Sequence, residues 1–447
     1  MNKKMLYTVI AAGLCFTSAS AQEIKFGEGD NNTLAKTKIT IGTRVSMDGA
    51  YFMDDVTPLK SGATIPDARI RMTIQNGKWD AYFDADFGKG VYTQKNIFLR
   101  YNFTDKNSLR LGYATESFSI SSLTSQSDLH FITRSATVNT FAPGRSLGIT
   151  YKHRGNKYYT ETGIYNENLY NKQEVGNQGF AASGRYLYVP INNENLAIHV
   201  GAAARFKKIE TGVVEGNPGV FTKYYHLGSG LETNVDPSVR FLDANIQWAD
   251  KELKYGAEFL AVTPRFFAQG EYIGAKIDRS RPDQLLFENQ LGSLWSWGSL
   301  ASWQKGNPEL TPLNFNGAYL ELGYLLSGSS NYKYDTDNAI LKDLIGNNLL
   351  EVVGRYSYTS LNDVKDGDIY WKAQNKFFPA STGGIVDYPA SSPSIGGGKL
   401  QTYTLGLNYN FTSNVRAMLH YTLSKIDSYK FDDKTVNMVQ LRVQFKF

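Results

Sequence analysis

The chain has almost no cysteine and, after its first residues, no long apolar run. Its single cysteine, Cys15, excludes a disulfide framework and a thiolate metal site. Beyond residue 21, no stretch approaches the roughly 18 apolar residues that a membrane-spanning helix needs. The formal net charge is only +5 over 447 residues, so the strong basic field expected of a nucleic-acid-binding protein is missing. These absences argue against three classes: proteins stabilised by disulfides, helical membrane proteins and nucleic-acid-binding proteins.

Motifs for common catalytic chemistries are scarce as well. The sequence contains no H-E-x-x-H metalloprotease motif, no P-loop and no G-x-G-x-x-G dinucleotide motif. Its five histidines are scattered without the spacing of metal ligands. The triplet Asp335-Thr336-Asp337 lacks the glycine and glutamate of an EF-hand loop. We therefore expect no enzymatic activity, no cofactor and no metal site, and we predict a solvated turn at the triplet.

What the sequence does contain is repeated alternation between apolar and polar residues. In the clearest example, residues 68–75 and 79–87 alternate on either side of a turn at Asn76-Gly77-Lys78, which predicts a β-hairpin. Similar segments recur from residue 38 to the C-terminus, and a composition with 13% aromatic residues and only 13 prolines favours strands. One apolar and one polar face per strand is the pattern of a transmembrane β-barrel, with lipid outside and water inside.

The lengths of the connections support the same fold. Short connections at residues 76–78, 154–157 and 412–414 coexist with long polar ones at residues 116–144, 208–238, 279–311 and 362–398. Short turns at one rim and long loops at the other are typical of outer-membrane barrels, whereas a soluble β-sandwich, the alternative, usually has short connections on both sides. We therefore predict an all-β fold, with one transmembrane antiparallel barrel over residues 22–447.

The number of strands is constrained by parity. We count about seventeen alternating segments, whereas bacterial single-chain barrels have an even number of strands. We predict sixteen strands, with eighteen as the nearest alternative, and place the ambiguity in residues 208–278. Within that region, the alternation of Leu242, Ala244 and Ile246 predicts a strand of the barrel wall.

Both ends of the chain resemble export signals. Residues 1–21 combine Lys3 and Lys4, an apolar stretch and the small residues Ala19-Ser20-Ala21, which predicts a cleaved signal peptide. The last strand alternates and ends on Phe447, like the terminal strand that the outer-membrane barrel assembly machinery recognises in its clients. An ordinary edge strand ending in phenylalanine is the alternative. We expect a protein surrounded by lipid in the outer membrane of a Gram-negative bacterium.

Five segments, in their order and spacing, resemble the phosphate-selective porin O and P family. They are DARIRMTIQNGKWDAYFDADFG (67–88), SDLHFITRSATVNTFAPGRSLGITY (127–151), GAYLELGYLLSG (317–328), LLEVVGRYSYTSLND (349–363) and LGLNYNFTSNVRAMLHY (405–421). The resemblance implies a sixteen-stranded barrel, usually a homotrimer, with its third loop folded into the lumen. In phosphate-specific members it also implies a ladder of arginines along the pore. This sequence has the pair Arg69-Ile70-Arg71 but no R-x-R-x-R run.

Bases modestly outnumber acids on the predicted inward faces of the strands. Rings of cationic side chains favour anions, so we predict a diffusion porin for small hydrophilic solutes with weak anion preference, for which phosphate is a candidate. Solvation of the wall and mutual pairing are the alternative role for many of these charges. The candidate pore-lining or constriction residues are Arg44, Arg69, Arg71, Arg100, Arg110, Arg134, Arg145, Asp84 and Asp86.

Residues 115–145 are long enough to fold into the barrel as a constriction. By resemblance to the third loop of the family, Arg134 is the leading candidate for its narrowest point. Alternatively, Arg134 anchors the loop to Asp84 or Asp86 on the wall. A second unusual connection, residues 285–303, contains Trp295, Trp297 and Trp303. For it we favour interface packing or loop folding over stacking on sugar rings, because buried interfaces are also rich in aromatic residues.

Two rival functions stay open at this point. A plugged barrel whose long loops bind a glycan or a partner would use segments such as residues 285–303. A barrel hydrolase would need a histidine at the rim, such as His153 or His226. A large, stable conductance in a planar bilayer separates the porin from both.

Overall fold

The computed structural model describes residues 22–25, 37–53, 58–167, 177–210, 224–247, 249–280, 311–364, 394–428 and 434–447. The predicted signal peptide at residues 1–21 and the tryptophan-rich segment at residues 285–303 lie outside this part of the chain. Most of the long connections at residues 279–311 and 362–398 also fall outside it.

The described chain is built almost entirely from strands. In chain order these are β1 (Gln22–Lys25), β2 (Thr37–Phe52), β3 (Gly62–Asn76), β4 (Trp79–Asp86), β5 (Thr93–Thr104), β6 (Asn107–Thr115), β7 (Arg145–Arg154), β8 (Tyr158–Asn166), β9 (Phe180–Asn192), β10 (Ala197–Lys208), β11 (Tyr224–Ser229), β12 (Leu242–Gln247), β13 (Ala249–Val262), β14 (Phe266–Arg279), β15 (Leu313–Ser327), β16 (Tyr334–Asp335), β17 (Ile340–Leu341), β18 (Leu349–Asp363), β19 (Ile395–Asn410), β20 (Val415–Asp427) and β21 (Lys434–Lys446). Two short α-helices, α1 (Ile120–Leu123) and α2 (Ala136–Phe141), lie between β6 and β7. None of the helices within the described residues is long and apolar enough to cross a bilayer.

Sixteen of these strands form one closed antiparallel barrel, which confirms the predicted fold and strand number. Successive wall strands pair along the sheet, and β21 pairs with β2 from Arg44↔Lys446 to Phe52↔Met438 to close it. The four residues of β1 pair antiparallel with the start of β2, from Gln22↔Ile41 to Lys25↔Lys38. The remaining strands form two small hairpins, β11–β12 and β16–β17. Within the described part of the barrel, each of the sixteen wall strands pairs with a neighbour on both sides, as a strand structure in lipid requires.

The alternation in the sequence separates the two faces of the wall. On β19, Tyr403, Leu405 and Leu407 are 43%, 63% and 48% exposed on the outside, where lipid would cover them. Thr402 and Thr404, between them, are buried inside. Since hydrocarbon offers no hydrogen-bond partners, the polar side chains of the wall must point inward.

The two rims of the barrel differ, as predicted. We call the rim with the β3–β4, β5–β6, β7–β8, β9–β10, β13–β14 and β19–β20 connections the short-turn rim, and the opposite one the long-loop rim. The predicted hairpin is confirmed: Asn76 pairs with Trp79 around Gly77, whose φ of +57° favours glycine. One connection departs from the prediction. Residues 328–348, between β15 and β18, belong to the short-turn rim, yet they fold into the lumen and contain the β16–β17 hairpin.

The surplus segment in the sequence count is β12. Our assignment of Leu242, Ala244 and Ile246 to the barrel wall is wrong, because these residues are fully buried and pair with β11 inside the barrel. They pack in an apolar cluster with Leu361, Leu400 and other inward side chains near the long-loop rim. A sheet packed on protein and a strand facing lipid share the same period of two, so periodicity does not separate them.

A buried ion pair crosses the seam where the barrel closes. Asp48 of β2 lies opposite Arg442 of β21, and the guanidinium donates to both carboxylate oxygens at 2.7 and 2.8 Å. Both side chains are at most 2% exposed. Removing one member of such a pair leaves an uncompensated buried charge.

We therefore expect Arg442→Gln to destabilise the folded barrel by about 3–5 kcal/mol. The double variant Asp48→Asn/Arg442→Gln should lose less than the sum of the two single losses, because it leaves no lone charge. The heat-induced band shift of the folded barrel on a gel measures this, with Lys425→Gln, an exposed charge removal on β20, as the control. Strict additivity of the two losses would contradict the role of the pair.

Candidate functional site

The connection between β6 and β7, residues 116–144, folds into the lumen as the sequence predicts. It carries α1 and α2 and is buried over most of its length. Glu271 on β14 accepts hydrogen bonds from the Ser119 hydroxyl at 2.9 Å and from the backbone N–H groups of Ile120 and Ser121 at 3.1 and 3.3 Å. The Thr137 hydroxyl donates to the carbonyl of Tyr358 on β18 at 3.0 Å. We refer to residues 116–144 as the third loop.

The middle of the third loop reaches the wall near the barrel seam. Asn408 donates to the carbonyl of His130 at 2.8 Å, Arg416 to that of Leu129 at 3.1 Å, and Gln444 to that of Ser127 at 2.9 Å. These three side chains belong to β19, β20 and β21. The loop therefore starts on one wall, crosses the lumen, and is hydrogen-bonded to the opposite wall.

The connection between β10 and β13 fills more of the same side of the lumen. Its Glu232 accepts hydrogen bonds from the backbone N–H of Ala136 at 2.8 Å, from Arg355 and from Ser357. This carboxylate thus joins the connection, the start of α2 and the wall at β18. With the β14–β21 side of the lumen occupied, space for a solute lies on the β3–β7 side.

A cavity of about 500 Å³ occupies this space between the third loop and the wall. Five of the predicted site residues line it, namely Arg69, Arg71, Asp84, Arg134 and Arg145. Lys95 of β5 lines it too, so five cationic side chains and one carboxylate face the cavity. The sequence provided no specific signal for Lys95, because a register irregularity in the β4–β5 pairing interrupts the alternation beside it.

Several of the predicted cations are neutralised by neighbouring carboxylates. Arg44 is 2% exposed and pairs with Asp67. Arg69 lies 2.6 Å from Asp67 and 3.1 Å from Asp84. Such charges hold the wall together and contribute little net field.

Asp86 has a structural position at the long-loop end of β4. Its carboxylate accepts the backbone N–H groups of Ala68 and Gly88 at 3.1 and 2.9 Å and lies 3.2 Å from the ammonium of Lys95. It does not line the cavity. The predicted candidates Asp84 and Asp86 therefore differ: Asp84 faces the cavity, and Asp86 fixes the end of its strand.

Three guanidiniums at the cavity have only neutral partners among the described residues. Arg71 donates to the Ser125 hydroxyl at 2.9 Å. Arg145 donates to the Asn96 side-chain oxygen at 2.6 Å. Arg134 donates to the carbonyls of Ser121 and Thr124 and to the Gln126 side chain at 2.8, 2.6 and 2.7 Å. Their positive charge is not cancelled by direct contact with a carboxylate.

Arg134 thus holds the third loop in shape from within. The alternative that it anchors the loop to Asp84 or Asp86 is wrong, because its partners all belong to the loop itself. Burial, reinforced by the nearby charge of Arg145, lowers the pKa of Arg134 to about 10, so it stays protonated at neutral pH.

Arg100 and Arg110 lie nearer the short-turn rim, directly opposite each other in the β5–β6 pairing. Arg100 is 2.7 Å from Asp80, and Arg110 is 3.4 Å from Glu161. Neither lines the third-loop cavity. They instead continue the cationic lining along the same wall toward the short-turn rim.

The sequence also contains Gly144-Arg145-Ser146-Leu147-Gly148, which fits the G-x-S-x-G pattern of serine hydrolases. That motif needs a sharp strand-to-helix turn. Here Ser146 lies within β7, and its hydroxyl donates to Glu116 at 2.7 Å. The two histidines considered for a hydrolase are hydrogen-bonded to other side chains, His153 to Asn107 and His226 to Asp243. Among the described residues, no group of three or more potential ligands is arranged to hold a metal ion.

Solved structures with the same architecture include several outer-membrane proteins. The outer membrane channel DcaP of Acinetobacter baumannii has a TM-score of 0.52 at 11% identity, covering 95% of this chain and 100% of that one. A loop L8 deletion mutant of OmpT, an outer membrane protein of Vibrio cholerae, has a TM-score of 0.52 at 9% identity, covering 92% and 100%. OprB of Pseudomonas putida has a TM-score of 0.50 at 9% identity, covering 92% and 94%. At these identities the likeness shows the fold alone.

No curated protein sequence matches the chain. The family described as phosphate-selective porin O and P matches residues 38–447, which is the entire closed barrel apart from one residue of β2. The chain therefore belongs to the phosphate-selective porin O and P family and forms an outer-membrane channel for small solutes.

Proposed function

We propose that this porin passes small anions along the β3–β7 wall and prefers them weakly over cations. The observation that carries the proposal is the set of three guanidiniums, Arg71, Arg134 and Arg145, that face the cavity with neutral partners only. Fixed cationic groups at a constriction raise the local concentration of anions. A guanidinium also presents two parallel donors to an oxyanion, so phosphate is a suitable solute.

The paired charges explain why the preference would be weak. Along the same wall, Arg69, Lys95, Arg100 and Arg110 each lie within 4 Å of a carboxylate. Opposite charges in contact cancel at the distance of a passing ion. At the third-loop cavity, the uncancelled field then comes from three side chains rather than from a continuous ladder.

The architecture also supports an orientation and a route to the membrane. Barrels of this kind place short turns in the periplasm and long loops outside the cell. The short-turn rim would then face the periplasm. Residues 1–21 would serve as the cleaved signal peptide, and residues 22–447 as the mature domain, in contact with outer-membrane lipid.

The short strands on one side of the barrel support a homotrimer. Strand β4 has 8 residues, whereas β19 has 16. Eight residues tilted by about 45° span roughly 19 Å, less than the apolar band of about 25 Å that lipid requires. An apolar groove of about 420 Å³ on the adjoining outer surface is lined by Met72, Ile74, Phe83, Leu99 and Leu111, among others. Contact with a second copy would shield this part of the wall, and light scattering of the detergent-solubilised protein tests it.

Arg71→Gln and Arg145→Gln should each lower the permeability ratio of chloride to potassium by about two- to threefold. A charge roughly 7 Å from a passing ion in water, screened by about 0.1 M salt, changes the energies of chloride and of potassium by about 0.3 kcal/mol each, in opposite directions. Reversal potentials in a salt gradient across a planar bilayer measure the ratio. Arg265→Gln, which removes an exposed charge in the β13–β14 turn, is the matched control and should change nothing.

Arg134 calls for a separate variant, because it also shapes the third loop. Arg134→Ala should lower the anion preference and alter the conductance, since the loop loses three internal hydrogen bonds. Unchanged conductance and unchanged ion preference in this variant would contradict a role for Arg134 at the constriction.

We also propose that Phe447 is part of the signal read by the barrel assembly machinery. Its backbone N–H and C=O exchange hydrogen bonds with Thr43 at 2.8 and 3.1 Å, which ends the β21–β2 seam. Deleting Phe447 should lower the amount of folded, heat-modifiable protein in the outer membrane. Phe447→Ala keeps the backbone bonds and isolates the side chain, and Phe411→Ala, an exposed aromatic at the same rim, is the control. Normal assembly of the truncated chain would refute the signal.

A further inference from the structure

The connection between β15 and β18, residues 328–348, crosses the lumen at the short-turn rim. At one end, the ammonium of Lys152 on β7 donates to the carbonyl of Asp337 at 3.0 Å. At the other, Asn410 on β19 donates to the carbonyl of Leu344 at 3.0 Å, and Lys446 on β21 pairs with Asp343. We call this connection the rim strap.

Contacts along its length hold the rim strap across the opening. Arg185 on β9 donates to the carbonyls of Asn338 and Ala339 at 3.2 and 2.7 Å. His199 on β10 is 3.0 Å from the Tyr334 hydroxyl. Leu341 and Leu344 pack in an apolar cluster that includes Ile120 of the third loop. The strap and the third loop, which enter from opposite rims, therefore meet inside the barrel.

The strap leaves a slot against the β5–β7 wall. A cavity of about 280 Å³ lies there, lined among others by Arg100, Lys106, Lys152, Arg154, Asp337 and Asn338. It is on the same side of the lumen as the third-loop cavity, and Arg110, opposite Arg100 in the β5–β6 pairing, lies on the wall between the two. A solute that leaves the third-loop cavity toward the short-turn rim meets this slot.

Asp337 faces the cations of the slot from the strap. Its carboxylate contacts the guanidinium of Arg154, while 63% of its side chain remains exposed. Asp335 is used differently, because it accepts the backbone N–H groups of Asp337 and Asn338 at 2.8 and 3.2 Å and so fixes the turn. The turn predicted at residues 335–337 thus presents one accessible carboxylate to a basic wall.

From this geometry we propose that the rim strap forms a second constriction, and that Asp337 and Arg154 set the charge preference there. The inference rests on the proposed function, since it assumes that ions pass along the β3–β7 wall. At the slot, the Asp337 carboxylate cancels the charge of Arg154 by direct contact, so removing either partner uncovers the charge of the other. The channel would then select solutes twice, once beside the third loop and once at the strap.

Reversal potentials of the full-length porin in a KCl gradient test the proposal. Asp337→Asn should raise the permeability ratio of chloride to potassium by about two- to threefold, and Arg154→Gln should lower it by a similar factor. Glu194→Gln removes an exposed carboxylate from another turn of the same rim and should leave the ratio unchanged. If the permeability ratio shifts in opposite directions in Asp337→Asn and Arg154→Gln, the cause is the electric field of the two side chains, because a change in packing would not depend on the sign of the charge.

A blocking experiment tests the position of the strap independently. The proposed mature chain, residues 22–447, contains no cysteine, so Thr336→Cys places a single thiol in the turn of the strap, beside a second rim cavity that Arg154 also lines. A bulky thiol reagent added from the short-turn side should reduce single-channel conductance by half or more. The same reagent should not affect a channel with cysteine at Glu194.

The outcomes separate the two proposals. If the wild-type protein forms no channel, or if neither Arg71→Gln nor Asp337→Asn changes its ion preference, the proposed function is refuted. If the preference responds to Arg71→Gln but not to Asp337→Asn or Arg154→Gln, and the modified Thr336→Cys channel conducts normally, only the second constriction is refuted.

Discussion

Backbone hydrogen bonding in lipid is the constraint on which the rest of this structure depends. A strand in hydrocarbon must find all its partners in neighbouring strands, so the sheet has to close. In this protein β21 closes on β2, and the last bonds of that seam are made by Phe447 and Thr43. Closure fixes which face of each strand meets lipid, and with it the inward position of wall charges such as Asp48, Arg442 and Glu271.

A lumen lined with charges would be wide and weakly selective without something to narrow it. Here the narrowing elements are themselves held by those charges. Glu271 accepts hydrogen bonds from the third loop, while Asn408, Arg416 and Gln444 donate to its carbonyls. Because these anchors lie on the β14–β21 side, the open space is displaced toward β3–β7. Thus the same inward polar residues both fasten the loops and determine where a solute can pass.

Local sequence signals predicted the parts of the fold that depend on near neighbours. The β3–β4 hairpin followed from alternation around Gly77, and the inward third loop from its length and its resemblance to the family. The assignment of Leu242, Ala244 and Ile246 to the wall was wrong because an internal hairpin has the same period. The rim strap gave no signal, since nothing in residues 328–348 distinguishes a surface turn from one that enters the lumen.

For a related reason, the sequence did not predict which charged side chains are paired with an opposite charge. Arg69 and Arg71 are two residues apart on one strand and point the same way, yet Arg69 contacts Asp67 and Asp84 whereas Arg71 contacts Ser125. The difference depends on registers and on where the third loop lies, both of which are long-range properties. The arginines near the pore likewise come from separate strands and a loop, so the absence of an R-x-R-x-R run said little about the wall.

The reversal potential of the wild-type porin across a KCl gradient, measured with and without added phosphate, tests the central claim most directly. We expect a stable conductance whose reversal potential lies modestly closer to the equilibrium potential of chloride than to that of potassium. Added phosphate should reduce the chloride current, because it competes for the same guanidiniums. A reversal potential on the potassium side, or the absence of any stable conductance, would contradict the central claim.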